Sequence, residues 1–463
     1  MTNQPELSTP LPTTAAPGSP LTESSSKAAK PSIIILYTTK YREGGEQFAI
    51  AAKTLAEQKR KEFPRSDVLS QAVESKKEFV EAFVKLAAKN ELVDEFHFIG
   101  HSGVYGIMFG TDKWPEQFSP YEWKNLKLPF HPETKAYFHA CRTARWFAPF
   151  FARTFGVKTY GHHWYTTVSR KPHKFVWEKT GSTDSLHVIS CTGRKSHGLL
   201  GSAKKHLGFA DAYPLTEFCP TRDRIDTTYD SVAELYDDTF EDIAVRDDEL
   251  KWLRQQLGSS EDLKVLDIGC GNGAFLEKLS PRLAGGVGID ISEKMLEQAR
   301  KRNRRNSHLS FQQVLEPKLP FEDNSFDRVI SILSFRYLDW DPIVKEILRV
   351  LKPGGEFLVV DMVAAPVKWS EYPMFLRSKL KMYWQRAAHR RYFEALRKMV
   401  TDKRWQNMLR HNPIRSEHEM RWYLESRFKG RKAELLNIGY SSRILAFRSG
   451  PITDKSISEM TYP

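Results

Sequence analysis

The sequence predicts an α/β protein of two domains, each a mostly parallel sheet flanked by helices. That expectation rests on length, on composition and on a repeated alternation of strand and helix patterns. The chain has 463 residues, enough for two or three domains and a sizeable core. Hydrophobic residues make up 40% and aromatic residues 12%, which fit a folded soluble protein. Short apolar runs that suit buried strands alternate with amphipathic stretches of helical length, once in residues 32–215 and again in residues 222–455.

In order, residues 1–31 are rich in Ser, Thr, Pro and Ala and predict a disordered tail. The N-terminus lacks the basic start and apolar core of a secretory signal. The absence of Arg and the presence of Glu6 and Glu23 argue against a transit peptide. The pattern changes at Ser32. Ile33–Tyr37 suits a strand, Gly45–Lys61 a helix that ends before Pro64, and Lys76–Lys89 a second helix. Phe96–Gly100, Ala136–His139 and Lys158–Gly161 suit further strands, and Trp146–Phe155 a helix. This puts His101 and Cys141 just past the C-terminal ends of two apolar strands, the edge at which open α/β sheets carry their sites. A histidine beside a cysteine is the base that makes a thiolate. The basic runs Arg170–Lys174 and Arg194–His197 suit solvated loops, and Thr221–Thr227 suits a linker.

His139-Ala140-Cys141-Arg142-Thr143 resembles the caspase signature Gln-Ala-Cys-Arg-Gly, and His101 lies 141 − 101 = 40 residues upstream. Residues 32–215 are therefore similar to the caspase-like cysteine peptidase fold. The resemblance implies a His101/Cys141 dyad. In that family a glycine follows the histidine directly and donates an oxyanion-hole amide; here Ser102 intervenes before Gly103. The family also has Gln or an acid where this chain has His139. Two other readings stay open. Gly100-His101-Ser102 resembles the start of a serine-hydrolase elbow, but Val104 takes the place of its second glycine, and Val104–Phe109 alternates as a strand or hairpin does. Alternatively, Cys141 is a small buried residue and His101 a satisfied turn histidine.

The second half is organised around Asp267-Ile268-Gly269-Cys270-Gly271-Asn272-Gly273. A buried strand, Leu263–Leu266, precedes it and a helix opening, Ala274–Leu279, follows. The glycines allow a tight turn and close approach of a ligand. Asp267 suits a cationic or hydroxyl-rich ligand better than a pyrophosphate. Gly286–Asp290 suits a second strand ending in an acid, and Ser292 caps a helix over Glu293–Asn303. Then come Leu319-Pro320-Phe321, Ser325–Ser331, Leu351-Lys352-Pro353-Gly354-Gly355 and the strand Glu356–Asp361.

This series, over residues 228–363, resembles the class I S-adenosylmethionine-dependent methyltransferases of small molecules. The resemblance implies a Rossmann-like seven-stranded sheet with S-adenosylmethionine as cofactor. It implies that Asp267, Gly269, Cys270, Gly271 and Gly273 surround the methionine part, and that Asp290, with Ile291 beside it, takes the ribose hydroxyls. Ser331 and Phe335 would face the methyl group. Relatives usually contact the adenine through an Asp at the place of Leu315; here Glu316 or a backbone amide has to stand in. A tyrosine-bearing helix around Tyr229–Asp237 closes over the cofactor in similar enzymes.

The net charge is +13, and residues 366–432 hold 18 Lys or Arg against 6 Asp or Glu, so 18 − 6 = +12 of it lies there. Similar methyltransferases build the acceptor pocket and lid at this place in the chain, here a helical insertion over residues 366–430. Basic residues interleaved with Tyr383, Trp384, Tyr392, Phe393, Trp405, Trp422 and Tyr423 suit an anionic acceptor, a nucleic acid or a membrane surface. Charged outer faces around an aromatic core are the alternative. The function expected is methyl transfer to a small acidic organic acceptor, with nucleic acid a secondary partner; a cysteine peptidase regulated by a methyltransferase domain is the other hypothesis. No apolar run reaches the length of a membrane span. Four scattered cysteines suit neither a disulfide framework nor a zinc site, so no metal and a reducing, cytoplasmic setting are expected.

Overall fold

The computed structural model describes residues 32–168, 188–191, 203, 213–221, 229–258, 262–439 and 442–453. The N-terminal tail, the two basic runs and the linker beyond residue 221 lie outside the described residues.

In the first domain the elements run β1 (Ser32–Tyr37), α1 (Gly45–Glu62), β2 (Asp67–Ala72), α2 (Lys76–Ala87), β3 (Val93–Ile99), α3 (Pro120–Asn125), β4 (Phe130–His139), α4 (Phe147–Phe155), β5 (Lys158–Gly161) and β6 (Thr216–Phe218). They form one sheet in the order β6-β5-β4-β3-β1-β2, parallel except for β6. Phe48, Ala51, Ala52 and Leu55 of α1 pack on Ile33, Ile35 and Ile99 on one face. On the other face α2, α3 and α4 bury an aromatic core that includes Phe79, Phe83, Phe96, Trp123, Phe138 and Phe151. β2 escapes sequence reasoning because its Asp-Val-Leu-Ser-Gln-Ala is an edge strand with only partly buried side chains. β6 extends the sheet past residue 215. After Ser102 the chain forms a short hairpin, Ser102–Gly103 with Gly106–Ile107, and not the helix that an elbow needs.

The second domain continues with α5 (Ala233–Thr239), α6 (Asp247–Leu257), β7 (Leu263–Ile268), α7 (Ala274–Leu279), β8 (Leu283–Asp290), α8 (Glu293–Arg302), β9 (Leu309–Gln313), β10 (Phe326–Ile332), α9 (Trp340–Val350) and β11 (Leu351–Val363). The insertion holds α10 (Tyr372–Ala388), α11 (Arg390–Thr401), α12 (Lys403–His411) and α13 (Glu417–Arg427), before β12 (Glu434–Ile438) and β13 (Arg443–Arg448). The seven strands lie in the order β9-β8-β7-β10-β11-β13-β12, with β13 antiparallel to both neighbours. After β7 the chain builds outward through β8 and β9, then returns to lay β10 on the other side of β7. This reversal opens a crevice at the C-terminal end of β7.

Buried charge joins the domains. Lys76 at the start of α2 reaches Glu122 and Asp341 of α9, both at 2.6 Å. Arg427 of α13 donates to the Pro115 carbonyl at 2.9 Å, and the Tyr121 amide donates to Asp339 at 2.9 Å. Arg415, 2% exposed, lies between the rings of Tyr105 and Trp340, at 4.0 and 3.7 Å. It donates to Gln117 of the first domain and to the Arg336 carbonyl of the second.

Candidate cofactor site

The turn after β7 is shaped by three left-handed glycines, Gly269 at φ 76°, Gly271 at 53° and Gly273 at 71°. The Gly269 and Cys270 amides donate to the Ile289 carbonyl at 2.8 and 3.0 Å, which ties the turn to β8. Gly273 lets α7 start hard against α8: a Cβ there would meet Asn303, Ala299 and Phe311 at 2.8–3.0 Å. At Gly269 a Cβ would strike Ser334. Gly271 differs, since the nearest atom to a Cβ there is the Tyr236 ring at 3.7 Å. Between Gly271 and the Tyr236 ring there is a small hollow that a Cβ would fill at van der Waals distance.

Two carboxylates flank this hollow. Asp290, at the end of β8, accepts the Gly271 amide on one oxygen and the Ser292 amide on the other, both at 2.9 Å. The Ile291 amide also bonds to this carboxylate, which leaves it acceptor capacity for a ligand hydroxyl. Asp267, at the end of β7, is 1% exposed, and its Oδ1 is buried without a hydrogen-bond partner. Burial, reinforced by the charge of Asp290, pushes its pKa up to about 8. A buried, unpaired carboxylate oxygen beside a glycine hollow fits the cationic end of S-adenosylmethionine, and the Asp290 oxygens fit its ribose.

This shift has a checkable consequence. An acid whose pKa is raised by folding favours the fold while it is protonated, and that support is lost as pH rises through about 8. A bound cation reverses the preference and favours the carboxylate. Cofactor binding below about pH 8 should therefore release a proton. The calorimetric heat should vary with the ionisation enthalpy of the buffer, and Asp267→Asn should remove that dependence.

Tyr229, Tyr236, Tyr337 and Trp405 cover the site. Tyr229 packs edge-on against Tyr236 at 5.8 Å and Trp405 at 6.0 Å, and lies 6.3 Å from Tyr337. Trp405 comes from α12, so the insertion supplies part of the roof. Asn272 in the turn donates to Asp237 of α5 at 2.8 Å and holds the covering helix in place.

Other expected residues lie elsewhere. The Ser331 hydroxyl does not face the hollow: it is fully buried, donates to the Ile268 carbonyl at 3.1 Å and pairs with Ser334 at 2.8 Å. Phe335 points into the core and stacks on Trp340 at 5.5 Å. A buried hydroxyl must be satisfied and an apolar ring prefers the core, so both serve the sheet. Cys270 is buried, with its thiol donating to the Gly271 carbonyl at 3.7 Å, so only its backbone belongs to the turn surface. Leu315 and Glu316 lie exposed beyond β9, and Ile291 is exposed beside Asp290.

Sequence reasoning missed Arg336 and Asp361, a buried pair whose carboxylate also accepts the Arg336 amide at 2.6 Å. The signal was present. Asp361 falls near the C-terminal end of an apolar strand, as Asp267 and Asp290 do. The Arg336 guanidinium lies 4.5 Å from the Tyr337 ring centre.

In the first domain Ser102 donates to the Cys141 carbonyl, which draws the two strand-end loops together. The His101 Nε2 donates to the Glu43 carbonyl at 2.8 Å, and its ring packs edge-on to Phe48 and Tyr41 at 5.1 and 5.6 Å. The Cys141 sulfur accepts the Thr166 amide at 3.3 Å. Glu419 of α13 accepts the Val104 amide at 2.8 Å and fills the space a Gly103 side chain would need. The second domain thus presses directly on the loop that follows His101.

Residues 266–359 match the family model described as "Methyltransferase domain". The Methyltransferase GfsG of Streptomyces halstedii is 37% identical over 116 residues, 24% of this chain and 42% of its own length. The Sterol 4-C-methyltransferase strm-1 of Caenorhabditis elegans is 33% identical over 118 residues, 24% of this chain and 34% of its own. The Demethylmenaquinone methyltransferase of Tropheryma whipplei (strain Twist) is 33% identical over 137 residues, 29% of this chain and 56% of its own. The chain therefore spans between 34% and 56% of the length of these three relatives. Residues 266–359 of this chain thus carry the sequence of a methyltransferase domain, and the three relatives it resembles are methyltransferases.

Proposed function

We propose that the chain transfers a methyl group from S-adenosylmethionine to a small, largely apolar organic acceptor. One observation carries the cofactor reading: the glycine turn starts from a buried carboxylate with an unsatisfied oxygen, Asp267, and its Gly271 amide is held by a second carboxylate, Asp290. When bound, the cofactor supplies a methyl carbon activated by a sulfonium leaving group. The protein has to orient the acceptor and exclude water, and such positioning is worth about 7–11 kcal/mol. In this reading Tyr229, Tyr236 and Trp405, which pack on one another over the turn, line the side from which an acceptor approaches. Burial drives the Tyr229 phenol well above its usual range, so at neutral pH it is a hydrogen-bond donor and not a base.

The sequence argued for an acidic acceptor. The roof argues for an apolar one. Its buried cation, Arg336, is neutralised by Asp361, and the remaining surface named above is aromatic. Relatives named for sterol and demethylmenaquinone substrates agree with an apolar acceptor. The test is transfer of labelled methyl groups from the cofactor into the organic and aqueous fractions of a cell extract. Label in an organic-soluble small molecule supports the reading; label confined to protein or nucleic acid contradicts it.

A second reading is favoured by the strand order β6-β5-β4-β3-β1-β2 with β6 antiparallel, and by His101 and Cys141 on adjacent strand ends. It makes the first domain caspase-like, with the two residues as its dyad. Against activity in this state stand the backbone bonds of His101 and Cys141 and the Glu419 carboxylate beside Gly103. A thiol-reactive probe decides. We expect Cys141→Ala to label as strongly as the intact chain; loss of labelling in that variant would establish an activated thiol.

A further inference from the structure

The helix α10 buries no side chain fully and leaves most of its large apolar side chains exposed. Its side toward the protein is held mainly by polar contacts, with Phe375 the one partly buried ring. Lys381 pairs with Asp247 and Asp248, each at 2.7 Å, Gln385 donates to the Val245 carbonyl at 3.0 Å, and Ser378 accepts the Ile438 amide at 3.4 Å. The opposite side carries Tyr372, Leu376, Leu380, Tyr383 and Trp384, spaced by three and four residues so that they share one face. Trp369, one turn before, stacks on Tyr372 at 5.2 Å and lengthens the stripe. These are among the most exposed large apolar side chains described: Trp369 88%, Trp384 77%, Tyr383 70% and Leu380 64%. A soluble helix normally buries such a stripe.

The charge around the stripe identifies what covers it. Tyr372–Arg391 contains six Lys or Arg and no Asp or Glu; Lys381, Arg390 and Arg391 pair with acids outside this stretch, so the charge bordering the stripe is that of Arg377 and Arg386. Arg377 lies at one border of the apolar face and Arg386 at the other, both exposed. A second copy packed through the same face would bring Arg377 and Arg386 against their own counterparts. Trp, Tyr and Leu bordered by arginines match an anionic lipid headgroup layer with acyl chains beneath it. No described helix is long and apolar enough to cross a membrane, so the contact is with one leaflet. We propose that α10, with Trp369, is an interfacial helix that docks the protein on an anionic membrane surface.

The placement serves an apolar acceptor. The next helix, α11, packs Tyr392 on Phe240 at 6.0 Å, beside the Tyr236 roof, so the docked face adjoins the covering of the site. The proposal stands apart from methyl transfer, because docking is measured without cofactor.

The test is co-sedimentation of the full chain with vesicles of phosphatidylcholine alone, or with about one third phosphatidylserine added. We expect sedimentation only with the anionic vesicles, weakening as salt rises. Leu380→Ser with Trp384→Ser should weaken it by about tenfold or more, and Arg377→Gln with Arg386→Gln should flatten the salt dependence. Both variants change exposed side chains outside the cofactor site, and unchanged heat of S-adenosylhomocysteine binding shows that they fold. The proposal is overturned if the intact chain stays in the supernatant with anionic vesicles, or if the Leu380/Trp384 variant sediments equally well. It is also overturned if that variant instead abolishes a dimer of the intact chain or its binding to single-stranded RNA.

Discussion

Arg415→Ala is expected to cost about 3–5 kcal/mol and to split unfolding into two transitions, one for each domain. Arg415 is the most enclosed link between them. Its guanidinium fills the gap between Tyr105 and Trp340 and satisfies both the Gln117 side chain and the Arg336 carbonyl. Truncation leaves a cavity between two rings and strands two buried acceptors, each loss costing about 1–3 kcal/mol. Lysine in its place keeps the charge but neither the fork nor the stacking, so Arg415→Lys should recover only part of the loss. Calorimetric unfolding of the intact chain and both variants measures this. A single transition in Arg415→Ala, shifted by less than about 1 kcal/mol, would mean that the domains are held together elsewhere. Because Arg336 also contacts Tyr337 in the roof, cofactor affinity should fall in the same variant.

Gly271→Asn is expected to fold and to lose cofactor affinity by about a hundredfold, the 2–3 kcal/mol of a forced steric conflict. Asn tolerates the left-handed backbone that Gly271 adopts. The Cβ of the new side chain enters the hollow and meets nothing closer than the Tyr236 ring at 3.7 Å, whereas the Cβ at Gly269 or Gly273 meets atoms within 3.0 Å. A ligand in the same space would conflict with it. Gly269→Asn is the contrasting case: its side chain strikes Ser334, so it should lower stability as well as binding. Thermal unfolding and titration with S-adenosylhomocysteine separate the two. Equal affinity of Gly271→Asn and the intact chain would remove the hollow from the cofactor site.

Both sheets were legible in the sequence because their inner strands are continuous apolar runs, such as Ile33–Leu36 and Val265–Leu266, followed by turns with chemistry of their own. The Asp267–Gly273 turn was legible for a related reason. Only glycine adopts its three left-handed positions without cost, so the need shows as residue type. What was not legible depends on partners distant in sequence. β2 is stabilised by its neighbour β1 and has little apolar pattern of its own. Ser331 and Phe335 sit where a site residue is expected, yet their orientation is decided by the Ile268 carbonyl and the Trp340 ring. The contacts of Arg415 join residues almost 300 positions apart, with |i−j| of 298 to Gln117, and no local pattern announces them. The basic insertion was visible as charge, but only the fold shows that α10 turns its polar face inward.

The most direct measurement is a crystal structure of the chain with S-adenosylhomocysteine. The ribose hydroxyls should lie within hydrogen-bonding distance of Asp290, the amino-acid end beside Asp267 and the Gly269–Gly273 turn, and Tyr236 over the ligand. A ligand seated away from the C-terminal ends of β7 and β8, with the Asp267 oxygen still unpaired, would contradict this account.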